Sequence, residues 1–240
     1  MYELTQNASN EIILLLISRN PIPGLIRLLD HKDNLVVINT LQIIRDIIDA
    51  GIQSTSDTEE QHPLFDEFQE HGGIQKIFAL FQKSAFKNNK NITAFYISQL
   101  FKAREITDQI MKQQIISHLK SLLSDSDKRI KQKAKISLKY LAQNEANRSE
   151  ILNLEQFQQI EKDLKQPIEG TKDQKKQIIQ KQEIDCLLLY SVLHGREDFK
   201  LRRDLINAGI IDVLLQIFAK RDLDDITYPF TNAFFVFTYP

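Results

Sequence analysis

The 240-residue chain has no tryptophan, one cysteine, seven glycines and six prolines. So little turn chemistry does not serve an all-β sandwich or barrel, whose strands reverse roughly every 8–12 residues. The lone cysteine, Cys186, cannot close a disulfide within the chain. It stands among Ile184, Leu187, Leu188 and Leu189, is expected as a buried thiol, and suits a reducing compartment. There is no charge excess either: 31 Lys and Arg stand against 32 Asp and Glu, a net charge of −1. A dedicated nucleic-acid binder would carry a basic surplus, although net charge leaves the distribution open. Long apolar runs are missing too. The N-terminus has no basic segment followed by an apolar stretch, so it does not read as a secretory signal. The run Ile12–Ile17 is far too short to span a bilayer. These absences predict a soluble protein, cytoplasmic or nuclear, with no membrane partner.

The chemistry of a recognised active site is also absent. The histidines His31, His62, His71, His118 and His194 form no metal-ligand spacing with one another or with Cys186. No glycine-rich phosphate loop and no nucleophile elbow occurs. Carboxylate pairs such as Asp224-Asp225 and Glu59-Glu60 suit helix caps and solvated faces in a chain with 26% charged residues. His194, just before Gly195, suits a helix C-terminus, where a cation is favoured. The expectation is a non-enzyme with no cofactor, no metal and no small-molecule substrate.

What the sequence does have is helical periodicity nearly throughout. Leu35, Ile38, Leu41, Ile44 and Ile48 recur at three or four residues, with Asp33 or Asn34 as the N-cap and Gly51 just past the end. Ile130, Ala134, Leu138 and Leu141 repeat the pattern. The fold class is all-α. Gly51, Gly72, Gly73, Gly195 and Gly209 fall where one helix would stop and the next begin.

The helices also repeat. An apolar template reads Ile22, Leu25, Leu28, Leu29, then Ile74, Ile77, Leu80, Phe81, then Ile116, Leu119, Leu122, Leu123, and then Ile211, Leu214, Ile217, Phe218. Phe157, Ile160 and Leu164 form a weaker copy, interrupted by Asp163. The starts lie 52, 42, 41 and 54 residues apart. The short intervals match a helical repeat unit of roughly 40–47 residues. The long ones contain polar insertions, at 54–61 and 166–171, of the kind loops accommodate. A longer helix follows each template, at about 34–50, 89–104, 127–144, 173–194 and 224–238. A short helix precedes most of them, at 9–18, 62–71, 148–154 and 198–208.

This order resembles the armadillo repeat. The stretch 196–215, with Gly209 between two helices, is similar to the family's first and second helices; 68–74, with Gly72-Gly73, is similar to the same junction, and 137–142 to the end of a third helix. The resemblance implies a right-handed α-solenoid of about five three-helix repeats, 1–240 forming one domain with units near 6–51, 62–106, 107–144, 147–195 and 197–240. It implies a scaffold that holds an extended protein segment in a concave groove lined by third helices. The importin-alpha-like receptors of this family carry a ladder of Trp and Asn on those helices. Here the corresponding positions hold Gln42, Phe95, Ile136 and Leu187, and Asp46, Gln99, Tyr140 and Ser191, so nuclear-signal binding is not carried over.

One charge pattern points to a partner. Lys128, Lys131, Lys135 and Lys139 share one face of a helix that Asp127 caps. Lys172, Lys175 and Lys176 open the equivalent helix of the next unit, and Tyr140 adds an aromatic. The expected ligand is an acidic extended peptide. The same lysines also read as a solvated face, the usual role of lysine runs, and nucleic acid is the less favoured ligand because aromatics are sparse there. A segment of a larger multidomain protein with no groove ligand is the alternative. At the C-terminus Phe234, Phe235, Phe237 and Tyr239 form an apolar end, which predicts a terminal interface through self-association or continuation of the array.

Overall fold

The computed structural model describes residues 10–55, 60–84, 87–195 and 198–238. Among them are fourteen α-helices, two short 3-10 turns and no strand. The chain divides into two compact units, Met1–Met111 and Lys112–Pro240.

The first unit contains α1 (Asn10–Ile17), α2 (Ile22–Leu28), α3 (Asn34–Gln53), α4 (Phe65–Glu70), α5 (Gly73–Lys83) and α6 (Lys87–Leu100). These are two successive sets of first, second and third helix. Asp33 caps α3, its Oδ1 accepting from the Leu35 N–H at 2.8 Å. Gly72 links α4 to α5 with φ of 68°, a left-handed turn that L side chains rarely adopt. Helix α3 packs on α1, α2 and α6, α2 also touches α4, and α5 lies along α6. Ile22, Ile44, Phe68, Ile77 and Ile97 are fully buried between them. The template residues Ile22, Leu25 and Leu29 face inward, whereas Leu28 is exposed.

The second unit contains α7 (Gln109–Ser121, which starts at the boundary), α8 (Lys128–Leu141), α9 (Glu145–Ile151), α10 (Leu154–Lys165), α11 (Lys172–Leu193), α12 (Phe199–Asn207), α13 (Ile210–Lys220) and α14 (Tyr228–Thr238). Polar caps mark nearly every start. Asn153 and Gln156 close a capping box on α10, Thr171 and Gln174 another on α11, and Asp198 accepts from the Leu201 N–H at 2.9 Å at the start of α12. Gly209 repeats the left-handed link between α12 and α13, with φ of 80°. Helix α11 is the spine. It packs on α8, α9, α10 and α14, while α13 packs on α10, α12 and α14. Cys186, Leu189 and Val192 of α11 are fully buried, as are Leu138, Leu214 and Phe230.

One sequence expectation changes. Gly51 lies inside the last turn of α3, fully packed, because that helix runs on to Gln53. The third repeat has no first helix among the described residues: α6 ends at Leu100, Ala103 takes a left-handed φ of 56°, and α7 begins at Gln109. The intervening chain is too short for a further capped helix with turns on both sides.

Asp163, which breaks the fourth template, has a structural reason. It is buried, and its Oδ1 accepts from Lys181 Nζ and Gln159 Nε2, both at 2.7 Å. Beside it, the fully buried Gln182 donates to the backbone carbonyls of Asp163, Leu164 and Gln166 and accepts from Arg221 Nη2 at 2.9 Å. The Leu164 carbonyl is one that the last turn of α10 leaves without a helical donor, while the Asp163 carbonyl also accepts from the Gln166 N–H at 3.1 Å.

Candidate functional site

Helix α8 starts against its own dipole. Lys128, Arg129, Lys131, Lys133 and Lys135 crowd its first turns. Asp127 offsets them: its Oδ1 accepts from the Arg129 N–H at 2.8 Å, and the Arg129 guanidinium lies at 3.2 Å. Those contacts hold the Asp127 carboxyl below its ordinary range. Ala134, Ser137, Leu138 and Leu141 take the inner face of α8. That leaves Lys128, Lys131, Lys135 and Lys139 along the other side, Lys128 exposed and the rest half-buried.

The neighbouring helices bring aromatic groups to this row. Lys135 Nζ stands 4.6 Å from the ring centre of Tyr190 on α11, a cation–π contact. The Tyr190 ring lies in turn 4.6 Å from that of His194. Tyr228, the exposed first residue of α14, is near enough to act on both Lys135 and Tyr190. Burial is the main reason the Lys135 ammonium titrates below its usual range; Tyr228 opposes that shift and Lys139 adds to it. Burial, with Tyr228 second, raises the Tyr190 phenol. The ring under Lys135 is therefore Tyr190 rather than Tyr140, which is half-buried further along α8. Sequence reading missed Tyr190 and Tyr228, and placed His194 only at a helix C-terminus, where it stands. Tyr190 was within reach, because it occupies on its helix the repeat position that Lys139 has on α8.

Lys172, Lys175 and Lys176 are exposed in the first turns of α11. They lie about 21–27 Å along that helix from Tyr190, at about 1.5 Å per residue. Lys128 lies only about 10 Å along α8 from Lys135 on the same measure. Lys175 lines a cleft of about 460 Å³ with Lys165, Lys220, Arg221, Asp222 and Asp225. A larger cleft, about 860 Å³, opens between α9, α10 and α12, where Arg148 pairs with Asp198 at 3.0 Å.

At the C-terminal end, Phe234 meets Phe218 edge-on at 5.5 Å. Phe235 is exposed and Phe237 half-buried, and Tyr239 lies outside the described residues. In the first unit, Asp46 of α3 pairs with Arg45 at 2.8 Å and Asp49 accepts from Gln99 Nε2 of α6 at 2.7 Å. Among the described residues, no group of three or more His, Cys, Asp and Glu could hold a metal ion. No helix there is long and apolar enough to cross a membrane.

No protein-family model matches the sequence, and no curated protein is similar to it. Solved structures are. An engineered protein known from its crystal structure is similar with a TM-score of 0.57 and 15% identity, over 99% of this chain and 87% of that one. A designed armadillo repeat protein in complex with the peptide (KR)4 is similar with a TM-score of 0.58 and 15% identity, over 98% of this chain and 89% of that one.

The fold is armadillo-like.

In armadillo terms α3, α6, α8, α11 and α14 are the third helices of repeats one to five. Three of the ladder positions noted in the sequence are buried. Phe95 and Leu187 are buried, and the buried Ser191 hydroxyl donates to the Leu187 carbonyl at 2.7 Å.

Proposed function

We propose that this chain is a non-catalytic scaffold whose second unit holds an extended, acidic segment of a partner protein across its third helices. The observation that carries the reading is the row Lys128, Lys131, Lys135 and Lys139 beside Tyr190 and Tyr228. Ammonium groups on one helix face attract carboxylates without demanding one geometry. Tyrosines beside them supply apolar contact area and a hydroxyl at low entropic cost. The designed relative is in complex with a basic peptide; the lysine row here has the charge to select the opposite sign. Lys172, Lys175 and Lys176 extend the basic character along α11 and would meet a longer segment separately. A buried single thiol fits work in the cytoplasm or nucleus.

The test is fluorescence anisotropy with a labelled oligoglutamate peptide and, as control, an oligo-Lys/Arg peptide. Wild type is compared with the fourfold variant Lys128→Glu, Lys131→Glu, Lys135→Glu and Lys139→Glu. The expected result is binding of the acidic peptide alone, weakening steeply with salt and lost in the variant. Equal binding by variant and wild type, or preference for the basic peptide, overturns the reading.

A further inference from the structure

Exposed apolar side chains are not spread evenly over this molecule. Of the fourteen large ones exposed among the described residues, six belong to repeat one and six to repeat five; only Ile110 and Ile136 lie between. In repeat one Leu15 and Leu35 are 61% and 62% exposed. In repeat five Leu223 and Phe199 reach 84% and 68%. Single exposed apolar residues are ordinary, but such concentrations mark surfaces that something covers.

The contacts inside each unit show what covers the equivalent surfaces elsewhere. In the first unit α2 packs on α4 and α3 on α6, so repeat two covers one side of repeat one. In the second unit α10 packs on α13 and α11 on α14, so repeat four covers one side of repeat five. All these repeats share one plan. The side of repeat five that faces repeat four therefore corresponds to the side of repeat one on which no other described helix packs. The open side of repeat five likewise corresponds to the side of repeat four that repeat five covers. The two open sides are the two halves of one repeat-on-repeat contact.

Their shapes differ in the way such a contact needs. Repeat one has a cleft of about 650 Å³ in which Pro21, Gly24, Leu25, Leu28 and Ile43 are joined by the polar Arg27, Asp30 and His31. A Cβ on Gly24 would meet nothing within 4 Å. Repeat five instead leaves Phe199, Leu215 and Leu223 exposed.

We infer that copies of this chain associate head to tail, repeat five of one on repeat one of the next. The contact is heterologous, joining two different surfaces, and does not saturate at a dimer unless the rotation closes a ring. It uses neither the lysine row on α8 nor Tyr228, the one exposed side chain of repeat five that lies beside that row.

Light scattering over a concentration series tests this with two variants whose helicity is checked by circular dichroism. The head-blocked variant carries Leu15→Asp and Leu28→Asp; the tail-blocked variant carries Phe199→Asp and Leu215→Asp. Wild type is expected to rise in mass with concentration, past twice its 27.9 kDa. Each variant alone stays at the monomer mass, and an equimolar mixture forms a dimer, because one variant keeps a free tail and the other a free head. A monomeric wild type at its highest soluble concentration overturns the inference and leaves the faces to another segment or protein. So does a variant that still dimerises by itself, which would mean like faces pair.

Discussion

The imidazole of His62 occupies the space in which Gly51 would carry a side chain. A Cβ built on Gly51 would stand 2.7 Å from His62 Cε1 and 2.8 Å from Nε2. The ring cannot move aside easily, since it is buried, its Nε2 lies 3.1 Å from the Ile48 carbonyl, and its Nδ1 accepts from the Leu64 N–H at 3.2 Å. Those bonds fix the tautomer with the proton on Nε2. They also tie the end of α3 to the start of the next repeat.

Gly51→Ala should therefore be destabilising. In an open helix the same change gains about 1 kcal/mol. Here the clash reverses the sign, at a cost of about 1–3 kcal/mol typical of overpacking. Urea denaturation measures it. In a His62→Ala background, which removes the ring, the same glycine change should return to neutral or favourable. If Gly51→Ala costs as much there as in wild type, the ring is not the obstacle.

His62 also makes the protein acid-sensitive in a defined window. Burial pushes its pKa down from the ordinary 6.5 to about 4; the hydrogen bond to Ile48 opposes this and the Lys102 ammonium adds to it. Between those values the unfolded chain binds a proton that the folded chain does not. Stability contributed by the neutral ring is complete above pH 6.5 and declines as pH falls towards 4, by about 3 kcal/mol in full. His62→Gln keeps polar atoms in the site without titrating, so its stability profile should lack that slope. Parallel profiles for the two proteins would mean the ring is charged in the native state.

Asp185 acts in the opposite direction. It is buried on α11, and its Oδ2 has no hydrogen-bond partner. Burial and then the charge of Asp163 raise its pKa from 3.8 to about 7, against the pull of Lys181. Across that interval the folded state holds a proton the unfolded state has lost, so this site's contribution falls as pH rises. Asp185→Asn removes the titration. Relative to wild type the variant should gain up to about 4 kcal/mol between about pH 3 and pH 8. Urea unfolding of both proteins at the two pH values measures the gain, and an unchanged difference would place an ionised carboxylate in the native state.

Much of the architecture is written locally. The spacing of Leu35, Leu41, Ile44 and Ile48 predicts α3, and Asp33 and Asp127 cap α3 and α8 as their positions suggest. Helix periodicity, caps and glycine junctions depend on residues within a turn or two of each other, so one chain suffices to read them. The repeat is legible for the same reason, because each unit restates one local pattern. Cys186 could be placed in the core from its apolar neighbours.

What the tertiary structure decided are the meetings between residues far apart in the chain. Gly51 reads as a helix end until His62 is seen against it. Asp163 reads as a flaw in a template until Lys181 and Gln159 are found on its carboxylate. The lysine row of α8 is visible as spacing, but Tyr190, 55 residues beyond Lys135, joins it only because α11 packs on α8. Local periodicity says which face of a helix is apolar. Only packing, which sums weak contacts over helices distant in sequence, selects the neighbour that each face meets.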